Sequence, residues 1–254
     1  VDVGGTTSDG GVLVNHFPRE STQAAQIGGV LTNFRMPDVV AVGVGGGTIV
    51  RMVNDQCVLG PDSVGYKLKE KAIAFGGNTL TLSDFFLAQE KLVIEGSLKT
   101  NLLKQKLEEL TNYSYPSLLN KVTEAIQVKI ENLVDKLKTD SKDIPVIACG
   151  GGAFLLPNKI KGASEVLFPK HMEVANAFGA CISQISSEKE IVINTLQKNE
   201  KKELDILLSE SKKDLIKKGA SNASIHVITK ESIPLAYLPG ATKLKVKLCG
   251  DLIQ

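Results

Sequence analysis

The first nine residues, VDVGGTTSD, set one carboxylate (Asp2), two glycines (Gly4, Gly5) and two threonine hydroxyls (Thr6, Thr7) at the end of a short β-branched run. Glycines let a backbone approach a ligand closely, so the amides of Gly4, Gly5, Thr6 and Thr7 can point at phosphate oxygens while the hydroxyls add donors. Asp2 repels a phosphate unless a cation lies between them, so its natural partner is Mg²⁺ or a water bound to Mg²⁺. Asp9 is placed to hold the turn by accepting from backbone amides. The same letters also fit a plain hairpin turn between Val1–Val3 and Val12–Val14, but a turn alone gives Asp2 and two threonines nothing to do.

A second element of this kind, VIACGGGAFLLP, runs from Val146 to Pro157: a buried strand, then Gly150, Gly151 and Gly152, where a backbone can lie flat against a ring or a sugar phosphate. Two strand-to-glycine elements in one chain suggest a nucleotide held between them. A third cluster, GVGGGTIV, supplies Gly45, Gly46, Gly47 and Thr48, which fit either a cleft-lining loop or a tight strand connection. Other chemistries lack their signatures. The chain has no GxxxxGK[ST], no full GxGxxG, no GxSxG and no HExxH. His171 reads as a capping or packing residue, with His16 and His226 weaker still as catalysts, and Cys149 reads as a small apolar thiol on a strand. Asp62 with Ser63 and Asn33 with Arg35 form turns that face the cleft or solvent; Arg51 meets a phosphate or a surface carboxylate.

The elements that must position these residues follow from periodicity. Short β-branched runs at Val1–Val3, Val12–Val14, Val39–Val44 and Val146–Ala148 lie between the glycine clusters and read as buried strands ending in turns. Leu118, Leu119, Val122, Ala125, Ile126, Ile130, Leu133, Val134 and Leu137 recur at three and four, which predicts one helix face from Pro116 to Leu137 with Ser114 or Ser117 at its start. Shorter helices are expected at about 98–110, from Ser83-Asp84 onward, and from about Val174 to Ser186. Strands alternating with helices predict an α/β domain over residues 1–190, with a helical segment at about 84–140. Residues 191–254 read as a small helix-plus-hairpin α+β unit. Leu204, Leu207, Leu208 and Leu215 form its helix face, and Ile225–Thr229 and the alternating KLKVKL (Lys243–Leu248) form its strands, the lysines guarding an edge.

Composition narrows the function classes. With 43% hydrophobic and 23% charged residues in 254, the chain can build one large core or two modest ones. Thirty basic against 28 acidic side chains give a net charge of +2, and there is no Trp beside eight Phe and four Tyr, so a nucleic-acid footprint is lacking. Cys57, Cys149, Cys181 and Cys249 are scattered with no CxxC, which argues for reduced thiols without zinc. No apolar run nears the ~18 residues that span a bilayer and no signal peptide precedes Val1, so a cytoplasmic location is expected.

On its motifs the chain resembles a known family. DVGGTTSDGGVL looks like the phosphate loop of the actin, sugar kinase and heat-shock chaperone superfamily. The stretches DVGGTTSDGGVLVNHFPR, GGVLTNFRMPDVVAVGVGGGTIV, LGPDSVGYKL, FGGNTLTLSD, VIACGGGAFLLP and HMEVANAFGACISQ are similar to the hydantoinase/oxoprolinase family within it. The resemblance implies an actin-like (ribonuclease H-like) ATPase subdomain with a mixed sheet and flanking helices. It implies ATP and Mg²⁺ as cofactors: Gly4, Gly5, Thr6 and Thr7 as the second phosphate loop, Asp2 and Thr6 in catalytic roles with Asp2 on Mg²⁺ through water, and Gly150, Gly151, Gly152, Ala153 and Phe154 as the adenosine loop, with Phe154 near the base.

Members of the family carry two phosphate loops, one in each half. Asp2 and Gly150 lie 148 residues apart, which suits the second phosphate loop and the adenosine loop of one half. The expected partners are therefore a missing N-terminal half, a cyclic amide or related carbonyl substrate, and in some branches a second subunit, with neither nucleic acid nor membrane. The implied activity is ATP-dependent opening of a hydantoin or 5-oxoproline ring through phosphorylation of the carbonyl oxygen. A carboxylase, a small-molecule kinase, an ATP-driven reactivating chaperone and an inactive scaffold remain as alternatives.

Overall fold

The run at Val1–Val3 becomes β1 (Asp2–Val3), and the glycine-rich stretch behind it turns straight back into β2 (Ser8–Gly11), antiparallel with Asp2 opposite Asp9 and Val3 opposite Ser8. In this computed structural model, which describes residues 1–14, 17–21, 26, 27, 29–31, 36–236 and 238–253, the expectations for His16, Asn33 and Arg35 lie outside the described residues. Two short hairpins, β3 (Leu13–Val14) with β4 (Phe17–Pro18) and β5 (Gln26–Ile27) with β6 (Val30–Leu31), precede β7 (Val39–Val42), which pairs antiparallel with β2. β8 (Thr48–Val53) and β9 (Gln56–Ser63) form a further hairpin. On the other side of β1, β10 (Ile144–Ile147) runs parallel to β11 (Ala163–Leu167). A parallel bridge between Asp2 and Cys149, with Val3 N–H to the Cys149 carbonyl at 2.8 Å and Cys149 N–H to the Val1 carbonyl at 2.9 Å, joins the two sheets. The order across the sheet is therefore β7, β2, β1, β10, β11, a mixed sheet with antiparallel pairing on one side of β1 and parallel pairing on the other.

The first helices are α1 (Leu68–Lys71), α2 (Leu82–Ala88), α3 (Thr100–Thr111) and α4 (Tyr115–Leu137), and α4 packs on β2 and β7 of the sheet. The periodicity located α4 to within a residue. Pro116 sits in its first turn, where a missing N–H costs nothing, and Leu118, Val122, Ile126, Ile130, Leu133, Val134 and Leu137 are all buried. Leu118, Val122, Ile126, Ile130 and Val134 join Val3, Val44, Leu82, Phe85 and Leu103 in one core.

The expected helix from Val174 to Ser186 is shorter. A 3-10 turn at Met172–Val174 leads into α5 (Ala175–Cys181), and the chain then extends as β12 (Ile185–Asn194). What ends the helix is strand pairing invisible in the local letters: β12 matches β14 (Ala241–Gly250) residue for residue from Ile185 opposite Gly250 to Asn194 opposite Ala241. The chain thus forms two compact units, Val1–Asn176 and Ala177–Gln254, and β12 belongs to the second, ahead of the boundary drawn after residue 190.

The second unit holds the expected helix and hairpin, β13 (His226–Pro234) with β14, and β12 adds a third strand to their sheet. α6 (Glu200–Lys217) buries Leu204, Leu207 and Leu215 against Leu244, Val246 and Leu248. β14 lies between β12 and β13, so the lysines of KLKVKL guard no edge. They lie on a central strand whose neighbour β12 offers acidic partners. Lys243 pairs with Glu190 at 2.6 Å and Lys245, 4% exposed, with Glu188 at 3.2 Å. No helix among the described residues is long and apolar enough to cross a membrane.

Candidate functional site

The turn between β1 and β2 is closed by Gly4 N–H to the Thr7 carbonyl at 2.8 Å. From behind, Gly46 N–H reaches the Gly4 carbonyl at 3.1 Å and Gly47 N–H the Gly5 carbonyl at 2.6 Å. These bonds use carbonyls. Among the described residues the amides of Gly5, Thr6 and Thr7 have no backbone acceptor, and Gly5 and Thr6 are exposed. The turn therefore is a hairpin, and its apex also carries a run of unspent donors of the kind that binds an anion. The Thr7 hydroxyl donates to Asp9 Oδ2 at 3.1 Å, so Asp9 holds the turn through a hydroxyl and not, as the sequence suggested, through backbone amides.

Gly45, Gly46, Gly47 and Thr48 are buried, so the expectation that they line a cleft gives way to a bracing role. Gly45 N–H bonds to Thr48 Oγ1 at 2.8 Å and Thr48 N–H to the Gly45 carbonyl at 3.0 Å. Gly45 has to be glycine for lack of space: a β-carbon there would lie 2.5 Å from the Thr6 amide nitrogen and 2.7 Å from the Gly4 carbonyl oxygen. The brace is itself anchored. Ser83, in the first turn of α2, donates to the Gly46 carbonyl from both its amide (2.8 Å) and its hydroxyl (2.9 Å). Asp84 fixes that helix start by accepting from Ala74 N–H at 2.7 Å, Thr81 N–H at 2.7 Å and the Thr81 hydroxyl at 2.8 Å. Burial pushes the Asp84 carboxyl above its ordinary pKa, with these hydrogen bonds opposing.

The distant cluster arrives at the same place. Gly152 N–H donates to the Val3 carbonyl at 2.7 Å, and a β-carbon on Gly152 would meet the Gly4 carbonyl oxygen at 2.9 Å. Gly150 N–H is taken by the Met172 carbonyl at 2.8 Å. Of residues 150–154 only Gly151 is exposed, with nothing within 4 Å of where a β-carbon would be. Ala153 is buried, and Phe154 does not stand open for a base: its ring packs on Phe86 with centroids 5.2 Å apart. Cys149 bonds weakly to the Val1 carbonyl at 3.5 Å, and burial raises its thiol pKa. Asp2, half-buried at the end of β1, accepts from Asn176 Nδ2 at 3.0 Å.

Of the other candidates, Ser63 lies against the brace, its Oγ 2.9 Å from where a β-carbon on Gly47 would be. His171 is exposed and contributes a backbone carbonyl to Val174 N–H at 3.1 Å. Arg51 pairs with Asp62 across the β8–β9 hairpin, and the Ser63 hydroxyl accepts from Gly65 N–H at 3.1 Å. His226 lies on β13 in the second unit. Sequence reasoning read Ser83 only as part of a helix start, and passed over Ser8, whose hydroxyl donates to the Val44 carbonyl at 2.7 Å, and Asn176. The last lay in view, since ANAFGA was among the resembling stretches.

The sequence model of the family described as hydantoinase/oxoprolinase matches residues 1–189. Among solved structures the chain is similar over its whole length to a nucleotide-free acetone carboxylase, described with a mechanism of ATP-dependent acetone carboxylation (TM-score 0.67, 14% identity). It is similar over the same extent to an ATP-dependent caprolactamase from Pseudomonas jessenii (TM-score 0.68, 16% identity). At those identities the likeness is one of fold, and the chain spans 46% of each of those proteins. No curated protein matches it.

Proposed function

The chain belongs to the hydantoinase/oxoprolinase family, and we propose that it is the half of an ATP-dependent enzyme that carries the second phosphate loop and the adenosine loop. The observation that carries this reading is convergence: glycine clusters at 4–5, 45–47 and 150–152 meet through backbone hydrogen bonds around Asp2, leaving the amides of Gly5, Thr6 and Thr7 without a backbone acceptor among the described residues. The mixed sheet order β7, β2, β1, β10, β11 supports an actin-like ATPase subdomain, and the second unit is its appendage.

In this reading the Gly5, Thr6 and Thr7 amides and the Thr6 hydroxyl hold phosphate oxygens, Gly4 and Gly45–Thr48 keep that loop in shape, and Gly151 lets the nucleotide lie close. Asp2 suits a hydrated Mg²⁺, because its hydrogen-bond partner is a neutral amide that leaves the carboxylate charge in place. Bound Mg²⁺·ATP supplies an electrophilic phosphoryl group with its charge neutralised. What these residues contribute is orientation and preorganised donors, which is most of what phosphoryl transfer asks of a protein. Mg²⁺·ATP bound there would supply the phosphoryl group for the carbonyl oxygen of a cyclic amide; a first water would add to that carbon, the ring C–N bond would open to leave an acyl phosphate, and a second water would release phosphate and the free carboxylate. A second reading, carboxylation of a ketone, is favoured by the acetone carboxylase likeness.

The test incubates the full-length protein with Mg²⁺·ATP and, separately, 5-oxoproline, hydantoin, and acetone with bicarbonate. ADP release coupled to a ring-opened product is the expected result. Coupling to acetone alone moves the protein to the carboxylase reading, and ADP release with none of the three removes both.

A further inference from the structure

We infer that Asn176 is a positioning residue for Asp2, holding its carboxylate in the orientation that a divalent cation requires; the inference rests on the nucleotide-site reading and extends it to a residue outside the glycine loops. Both oxygens of Asp2 are constrained. Oδ2 accepts from Asn176 Nδ2 at 3.0 Å, and Oδ1 lies over Gly150 so closely that a β-carbon there would be 2.2 Å away.

One short segment delivers both constraints. The Met172 carbonyl takes the Gly150 amide at 2.8 Å, which seats Gly150, φ +89°, against Asp2. Met172 then opens the 3-10 turn Met172–Val174 that runs into α5, whose second residue is Asn176. The chemistry of the side chain suits the task. A Lys or Arg here would neutralise the carboxylate, and an Asp or Glu would repel it. An amide N–H fixes one oxygen and leaves the full negative charge for a cation. α5 places Asn176, and because the residue is exposed, core packing does not hold its side chain against Asp2.

The experiment uses the full-length protein with Mn²⁺ as probe for Mg²⁺, titrated by electron paramagnetic resonance at a saturating non-hydrolysable ATP analogue. Asn176→Ala and the similarly sized Asn176→Leu are both expected to weaken Mn²⁺ binding about tenfold, the usual scale for loss of a residue that orients a metal ligand. Metal-free nucleotide affinity and melting temperature are expected to stay at wild-type values. A fall in either of these in parallel with Mn²⁺ affinity, or recovery of Mn²⁺ binding in Asn176→Leu, assigns Asn176 a structural role and overturns the inference. Asp2→Asn separates the two levels. If it abolishes Mn²⁺ binding while Asn176→Ala does not weaken it, the positioning role fails and the site reading stands; if Asp2→Asn leaves Mn²⁺ binding intact, the site reading fails and takes the inference with it.

Discussion

Gly45 and Gly151 are the same letter in similar GGG runs, yet they do opposite jobs. Gly45 is buried with Thr6 N and Gly4 O inside the radius of a β-carbon, whereas Gly151 has open space around it. Gly45→Ala must push the phosphate loop out of place, and overpacking of this kind costs ~1–3 kcal/mol. Thermal unfolding of the variant is expected to show that loss, together with loss of nucleotide binding. Gly151→Ala is expected to stay within ~0.5 kcal/mol of wild type, as exposed substitutions do, and to weaken ATP measurably by calorimetry. Wild-type ATP affinity in Gly151→Ala would mean that this exposed glycine takes no part in binding. The sequence made the three clusters legible as glycine clusters, because repeated glycine after a β-branched run has few uses. Which cluster braces and which faces outward was not legible, since that depends on Thr6 approaching Gly45 from 39 positions away. Phe154 shows the same limit: its ring chose Phe86 in the core.

Among the elements, α2 matters beyond its length because its first turn anchors the brace. Asp84 is fully buried and satisfies three donors, from Ala74 and Thr81, and Ser83 holds the Gly46 carbonyl that stands behind Gly4. Asp84→Ala leaves those donors unpaired, and at ~1–3 kcal/mol for each buried orphan a loss of roughly 3 kcal/mol is expected in urea unfolding. Ser83→Ala removes one hydroxyl bond and should cost ~1 kcal/mol, while raising the Kd for ATP through a looser Gly46. Wild-type stability of Asp84→Ala would show that the helix start is held by packing alone. The letters SDFF marked this helix start, and the long apolar stripe marked α4, because local rules decide both. The stretch after Val174 misled for the opposite reason: its apolar spacing permits a helix, and only the distant partner β14 makes Ile185–Asn194 a strand. The lysines of KLKVKL were misassigned to an edge on the same account, their partners Glu188 and Glu190 being unknowable without the pairing.

At the scale of the molecule, each unit has its own core, one built on Val3, Leu82, Phe85 and α4, the other on Leu204, Leu207, Leu215, Leu244 and Val246. Cysteines stand in both. Burial pushes the half-buried Cys57 thiol from 9.0 up to about 11, with Lys121 opposing, and raises Cys149 and Cys249 as well. The sign follows: an unfolded chain releases the Cys57 proton near pH 9.0, the folded chain holds it to about 11, so stability present below 9.0 is lost as pH rises across that window. Urea midpoints are expected to fall between pH 8.5 and 10.5, and less steeply in Cys57→Ser. The same thiols report on the units separately. Cys181 is exposed, so iodoacetamide at pH 8 should label it first, and the other three should wait for unfolding. With Cys57 and Cys149 in Val1–Asn176 and Cys249 in Ala177–Gln254, pulse labelling through a urea series gives one curve for each unit. Two cores of unequal size carry unequal stability and unequal denaturant sensitivity, so Cys249 is expected to become reactive at a midpoint of its own, apart from the shared midpoint of Cys57 and Cys149. A single midpoint for all three, read by peptide mass spectrometry, would show that the units unfold as one.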